Sequence, residues 1–286
     1  MVELATDYTL EEQLVCQLAR EFGPDDNVVA AGMLNYTFVA VALAQRLYAP
    51  QLGFYMDAGV TKGKGTLMSG VRYPFAAGRP PEDFVDSLLT SEEIFAFLLA
   101  GKWNIFMQPV QVDKFGNTNL SLVGDMKKPT RVFVGSRGLP DNTTNAGRTY
   151  FTVPNHSARV FVEKIDFISG VGYGPERRQG NVKYGAPRKI FTNLCVLDID
   201  EKTKQLRLHS VHKGVTVDQV KGNTSFELIM PKSVPETDPP TQEEIKLLRE
   251  IIDPAGIRRL DHLKGDELKR VFGEISKGTT YDLIYS

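Results

Sequence analysis

The sequence has little of what builds stapled or metal-held folds: two cysteines, Cys16 and Cys195, and four histidines in 286 residues. The cysteines lie far apart and neither belongs to a Cys-x-x-Cys pair, which argues against a disulfide framework or a zinc knuckle. Cys195 sits in the apolar run Asn193-Leu194-Cys195-Val196-Leu197, where a buried, inert thiol is expected. Among His156, His209, His212 and His262 no two have the spacing of a known metal site. His209 and His212 fall in a strand-like run and point to opposite faces of it, so no metal is expected. There is no excess of charge either. The formal net charge is −1, which gives no long-range attraction for nucleic acid or anionic lipid. No apolar run approaches the ~20 residues of a membrane span, and no basic, signal-like start is present. A cytoplasmic protein that binds neither membrane nor nucleic acid is expected. Nucleophile elbow, Walker A loop and His-Glu-x-x-His helix are all missing.

What is present reads as α/β. Thr9 and Glu12 form a capping box ahead of Leu10, Leu14, Leu18 and Phe22 at helical spacing. The β-branched run Asn27 to Ala31 enters Gly32, and a helix follows from Tyr36 to Leu47. Strand, glycine and helix in that order suggest a parallel sheet. Gly53 to Met56 reads as a second strand, Val60 to Gly70 as a loop and Ser91 to Leu99 as a helix with acids in its first turn. Trp103 to Val112, Arg131 to Val134 and Arg159 to Ile168 read as strands, with polar loops at Gly135 to Arg148 and Gly170 to Pro187. Ile190 to Ile199 and Gln205 to His212 read as a hairpin, and Thr241 to Ile252 as a capped helix. The expected fold is an open, mostly parallel α/β sheet flanked by helices, with an added β-hairpin region. One domain is expected over 1–254, followed by a charged tail over 255–286.

Three glycine-bearing segments follow strands, where open α/β sheets place their sites. Gly32-Met33-Leu34-Asn35 is a site loop or an ordinary strand-to-helix turn. Met56-Asp57-Ala58-Gly59 offers a carboxylate at a sheet edge, or a turn acid. Gly135-Ser136-Arg137-Gly138-Leu139-Pro140-Asp141-Asn142 is a surface loop, or one whose backbone N–H groups converge on an anion with Arg137 as a fixed cation. On that second reading Gly138 supplies positive φ. Physical chemistry alone stops at an α/β protein with an anion-friendly loop.

The run Gln111-Val112-Asp113-Lys114-Phe115-Gly116-Asn117-Thr118-Asn119 resembles a segment of family I CoA-transferase β subunits. So do Gly135-Ser136-Arg137-Gly138 with Asp141-Asn142, the string Val162 to Phe167 with Ser169-Gly170, Leu47 to Pro50, and Ile251 to Pro254. Five segments in the same order cover about Leu10 to Pro254. Further runs, among them Lys128 to Arg131, Asn155-His156 and His209 to Thr216, are similar to the steroid-ring-degrading CoA hydrolases of actinobacteria within that family. The resemblance implies a CoA-transferase-like fold and a partner α-type subunit in an α2β2 or larger assembly. It implies coenzyme A as part of the substrate, with no permanently bound cofactor.

The resemblance also implies site roles. Asp57 stands where glutaconate CoA-transferase has its catalytic glutamate, one methylene shorter, and Arg137 and Gly138 belong to the oxyanion loop. Gly32, Asn35, Gln111, Asn117, Asn119, Gly135 and Asn142 are the expected substrate and CoA contacts. A β subunit of a ring-opening C–C hydrolase is expected, with the main acid on the α subunit. The alternatives are a dicarboxylate CoA-transferase using Asp57 as the covalent carboxylate, or a decarboxylase on the same scaffold.

Overall fold

The structure is a computed structural model. It describes the chain apart from Met1, Asn27, 32–34, Asp57, Ala58, 62–86, Leu89, Val134, Arg137, Lys183, Ala186 and 279–286. The chain divides into two compact units, Met1–Ser91 with Asp238–Ser286, and Glu92–Thr237.

In the first unit, α1 (Leu10–Ala19) begins at the Thr9–Glu12 capping box and β1 (Val28–Ala31) leads to α2 (Asn35–Leu47). Almost all of α2 is buried, as a helix apolar on every side must be. β2 (Gly53–Met56) pairs parallel with β1. β3 (Gly59–Thr61) and β4 (Ser87–Leu88) then extend this sheet antiparallel, although Val60 onward reads as a loop in sequence. Three residues of pairing are too short for a periodic signal.

The C-terminal segment completes this unit. α7 (Gln242–Leu247) starts at a second capping box, Thr241–Glu244, and continues through one π-helical turn, Leu248–Ile252. Residues after Pro254 are more than a charged tail. A 3₁₀ helix (Ile257–His262) and α8 (Gly265–Gly278) follow. Ile257 and Leu260, then Val271 and Ile275 one turn apart, are buried. Charge dominates the composition of this segment, but those four apolar positions decide its fate.

The second unit opens with α3 (Ser91–Leu99). β5 (Trp103–Met107) ends before Pro109, so the long apolar run is a strand plus a separate hairpin, β6 (Gln111–Val112) with β7 (Thr118–Asn119). A second hairpin pairs β8 (Leu122–Asp125) with β9 (Lys128–Val132). α4 (Leu139–Asn145) occupies half of the expected 135–148 loop. β10 (Arg148–Val153) lies parallel between β5 and β11 (Pro187–Thr192) and is buried nearly throughout. Its sequence, RTYFTV, hides among polar neighbours. The strand expected over Arg159 to Ile168 is absent; turns and bends occupy it. Phe161 and Ile165 are buried there, so apolar spacing came from packing and not from pleating.

α5 (Pro175–Gln179) is a single short helix within the expected 170–187 loop. β12 (Cys195–Ile199) and β13 (Leu206–Val211) continue the sheet antiparallel after β11. The expected hairpin is therefore three strands. The Thr192 hydroxyl accepts from Leu194 N and Cys195 N and turns the chain inside the run. α6 (Val217–Gly222) closes the unit over a core that includes Phe151, Phe161, Leu197 and Leu208. Parallel strands at the centre and antiparallel ones outside make this a mixed α/β sheet.

Candidate active site

The motif Gln111 to Asn119 folds back on itself. Asp113 Oδ1 accepts from Phe115 N at 2.9 Å and Asn117 N at 3.0 Å, while Oδ2 accepts from Asn117 Nδ2 at 2.9 Å. Burial, which these hydrogen bonds only partly offset, pushes the Asp113 carboxyl above its usual range. Gly116 closes the turn at φ 72°, a conformation that favours glycine. Asn117 Oδ1 then accepts from Gly172 N at 2.7 Å. Gln111 Oε1 accepts from Asn119 Nδ2 at 2.7 Å and from Asp166 N at 3.1 Å, and Gln111 Nε2 donates to Asp166 Oδ2 at 2.9 Å. Asn119 Nδ2 also donates to Leu122 O, and Asn119 Oδ1 accepts from Ser121 N. Gln111, Asn117 and Asn119 are thus buried, and their amides are engaged within the chain.

That knot connects to the glycine loop through hydroxyls. Ser121 Oγ lies 2.9 Å from Ser136 Oγ and 2.8 Å from Ser169 Oγ, and Ser169 Oγ accepts from Leu120 N. Three separate motifs, 111–119, 135–138 and 166–170, therefore meet at one hydrogen-bonded frame. Thr118 and Gly170 exchange backbone bonds across it. A Cβ on Gly170 would come within 2.6 Å of Thr118 Oγ1 and 2.9 Å of Leu139 Cγ, so the frame closes only on glycine. Ser121, Ser136 and Ser169 were not candidates in sequence. Serine is too common to stand out, and only the fold brings these three together.

Within the loop, positive φ belongs to Gly135, at 85°, and not to Gly138, whose φ is −79°. The expected conformational role of Gly138 is thereby corrected. A Cβ on Gly138 would make only ordinary contact with Asn142, at 3.6 Å or more. Asn142 Nδ2 reaches Met107 Sδ at the end of β5, and Asn142 O accepts from Thr149 Oγ1 on β10. Asn142 thus fixes α4, and with it the loop's exit.

In the other unit, Asn35 stands at the start of α2. Its Nδ2 donates to Asp261 Oδ1 and Tyr36 N donates to Asp261 Oδ2, both at 2.9 Å. Burial raises the Asp261 carboxyl to about 6 despite these bonds. Asp261 satisfies a backbone donor of the helix terminus from 225 residues away, a separation that no local pattern reveals. His262 stacks on Tyr36 with ring centroids 5.6 Å apart. Gly32, Asp57 and Arg137 lie outside the described residues.

The remaining histidines have structural surroundings. His156 stacks on Phe161 and its ring nitrogens face Thr192 and Thr224 hydroxyls. Burial lowers it to about 3, and burial raises the neighbouring Cys195 thiol to about 12. A neutral imidazole beside a neutral thiol is no nucleophilic dyad. His212 is buried against Thr237 and Thr192 O, whereas His209 is exposed against Asp198. Among the described residues no group of three His, Cys, Asp or Glu could hold a metal ion. No helix of the described residues is long and apolar enough to cross a membrane.

A parallel-centred sheet carrying a hydrogen-bonded glycine loop defines the class, an α/β protein. The chain belongs to the coenzyme A transferase family, whose model matches residues 16–223. It is 30% identical over 259 residues to the cholesterol ring-cleaving hydrolase IpdB subunit of Rhodococcus jostii, covering 90% of this chain and 98% of that one. It is also 30% identical over 216 residues to a 3-oxoadipate CoA-transferase subunit of Pseudomonas knackmussii, covering 73% and 81%. Its structure matches that of Rhodococcus jostii IpdAB with a TM-score of 0.77 at 30% identity, over 91% of this chain and all of that chain.

Proposed function

We propose that the chain is the β-type subunit of a heteromeric acyl-CoA enzyme that opens a carbocyclic ring by hydrolysis, with a separate α-type partner in an α2β2 or larger complex. The observation that carries this reading is the near full-length likeness to a ring-cleaving hydrolase subunit, together with Asp57 where the resemblance to transferases calls for glutamate. A carboxylate drawn back by one methylene misses a near-attack position by about 1 Å, enough to cost roughly 100-fold.

In this reading water adds to a ring ketone that is β to a second carbonyl. The ring C–C bond breaks, and its electron pair passes to the carbon flanked by that carbonyl as an enolate. The enolate is then protonated and the ketone becomes a carboxylate. This chain supplies position and charge stabilisation. The glycine loop that opens at Gly135, anchored through the Ser121–Ser136 link, offers backbone N–H groups to the enolate oxygen, and one such donor is worth ~2.7–4 kcal/mol of barrier. Proton transfer to and from water falls to the partner. Of the expected substrate and CoA contacts, Gln111, Asn117 and Asn119 act through the frame that anchors the glycine loop. Coenzyme A enters as part of the substrate. Two free, buried cysteines suit a reducing cytoplasm.

The test is Asp57→Asn in the co-purified complex, with mass spectrometry of the wild type for a CoA adduct at Asp57. A fall of about tenfold or less and no adduct are expected. A loss of about 10⁴–10⁶ with a trapped adduct would promote the second reading, a dicarboxylate CoA-transferase with Asp57 as nucleophile. The likeness to the 3-oxoadipate enzyme favours that alternative.

A further inference from the structure

We propose that Ser136 is a catalytic residue: its hydroxyl donates to the oxygen that gains negative charge as acyl-CoA reacts. Ser121 and Ser169 are the positioning residues that aim it. This deepens the function proposed above and rests on it. There the glycine loop contributes backbone N–H groups; here one of its side chains joins them.

The buried end of this row of hydroxyls sets its direction. Ser169 is 2% exposed, and its Oγ accepts from Leu120 N at 2.9 Å. Among the described residues the other hydrogen-bond partner of Ser169 Oγ is Ser121 Oγ, at 2.8 Å. A hydroxyl holds one proton and two lone pairs. The Leu120 N–H only donates, so it takes a lone pair of Ser169 and leaves that residue's proton to be placed. A buried O–H without an acceptor is costly, so Ser169 donates to Ser121. Ser121 Oγ in turn lies 2.9 Å from Ser136 Oγ. With one lone pair taken by Ser169, Ser121 donates onward to Ser136. The proton left over is then that of Ser136.

Ser136 is where a surplus donor has a use. It is half-buried and follows Gly135 in the glycine loop. Its carbonyl accepts from Leu139 N at 3.0 Å, which ties its backbone to the start of α4. A Cβ built on Gly135 meets nothing within 4 Å, so the loop opens onto space beside Ser136. Among the described residues no charged side chain hydrogen-bonds to any of the three hydroxyls, so the row is neutral until a ligand brings charge. A negative oxygen at the loop selects the direction that points the last proton at it. Only hydroxyl rotation is needed, and no heavy atom moves. Hydrogen bonds in a row polarise one another, so Ser169 and Ser121 strengthen the final donor. A hydrogen bond to a charged acceptor is also the stronger kind. The proton stays on Ser136 throughout, and the residue stabilises charge without transferring a proton.

Acetoacetyl-CoA bound to the co-purified complex tests this. It ionises to an enolate, whose near-ultraviolet absorbance reports the ratio of enolate to keto form. The wild-type complex should raise that ratio above its value in buffer. Ser136→Ala, with folding checked by circular dichroism, should lower it by roughly tenfold to hundredfold. Ser136→Thr keeps the hydroxyl and should restore most of it, and Ser121→Ala should lower it several-fold. The double variant Ser121→Ala with Ser136→Ala should match Ser136→Ala alone, because Ser121 acts only through Ser136. An unchanged ratio in folded Ser136→Ala overturns the proposal and leaves the acyl-CoA reading intact. Additive losses in the double variant also overturn it, as expected of serines that only hold structure. If Ser136→Ala does not fold, an unchanged ratio in Ser121→Ala overturns the relay. A wild-type complex that does not bind acetoacetyl-CoA, or binds it without raising the ratio, sinks the acyl-CoA reading of the loop and this proposal with it.

Discussion

The two units bury polar groups by different means. Residues 1–91 with 238–286 bury ion pairs. Glu12, 1% exposed on its side chain, meets Arg249 and Arg258, and Arg258 also meets Asp253. Glu244 meets Arg20 and accepts from the Tyr48 hydroxyl. Residues 92–237 bury mainly amides, hydroxyls and neutral rings, and the buried Arg177 there bonds to backbone carbonyls. The carboxylate of Asp113 is satisfied by N–H groups rather than by a cation, and His156 by two hydroxyls. The first unit is discontinuous in sequence, and its ion pairs tie an early helix to segments more than 220 residues later. The second is one continuous stretch. Directional neutral hydrogen bonds can fix a loop without drawing a strong field across it, which suits the charge-stabilising role proposed for the glycine loop.

Substitutions that strike each kind of frame should separate the two. The largest effect is expected for Gly172→Ala. A Cβ there would overlap the backbone of Phe115 and Asn117, so the 113–117 turn must move. A stability loss of about 4 kcal/mol or more, seen in chemical denaturation, is expected together with lost activity of the complex. A near-wild-type denaturation midpoint would mean the neutral frame is soft. Next is Glu12→Gln in the other unit. It leaves Arg258 with only Asp253 and Arg249 with only the exposed Asp7, and about 3 kcal/mol should be lost. If high salt alone reproduces that loss in the wild type, the pairs are less buried than the geometry indicates.

Acid should then distinguish the units by order of failure. His156 in the folded chain titrates near 3, below its ordinary 6.5, because burial keeps it neutral. The unfolded chain takes up that proton first, so stability falls as the pH drops from about 6.5 toward 3, by up to about 1.4 kcal/mol per pH unit. His212, also lowered by burial, adds in the same direction. Burial would raise Glu12, but its arginine partners hold it at about 2. Its contribution is present above 4.5 and is lost only as pH falls from there toward 2. Asp261, raised to about 6, favours the folded state as pH falls through that value. Between about pH 6.5 and about pH 4.5, hydrogen exchange followed by mass spectrometry should therefore show residues 92–237 opening first. His262 in the first unit is lowered by burial too, but Asp261 beside it acts in the opposite direction. Simultaneous opening of both units would mean that His262 weighs as much as His156 and His212 together.

Smaller effects probe the loop. Ser121→Ala removes the hydroxyl between Ser136 and Ser169 and should cost about 1 kcal/mol of stability. In the complex kcat should drop with KM nearly unchanged, whereas a purely structural role would leave kcat per folded molecule intact. Smallest of all is the contrast between two glycines. Gly135→Ala, at φ 85°, should cost about 1 kcal/mol. Gly138→Ala, at φ −79° with only ordinary contact for its Cβ, should stay within about 0.5 kcal/mol. Equal thermal shifts for the two would remove φ as the reason for glycine at 135.

The sequence by itself determined the α/β class, the capped helices at Thr9 and Thr241, the first strand–loop–helix unit and the family. Each rests on local chemistry or on short motifs in fixed order. It also marked 111–119, 135–142, and 162–167 with Ser169-Gly170 as family segments, without saying that they meet. Tertiary structure alone decided that Gln111 and Asn119 turn inward to one another, that Asn117 turns to Asp113 and Gly172, and that three serines join these segments. It decided that Asp261 completes the start of α2, and that RTYFTV is a central strand while 159–168 is none. These outcomes depend on which distant groups meet, and pattern along the chain carries no information about such meetings. A buried amide or carboxylate has one low-energy arrangement, set by the partners that the fold brings to it.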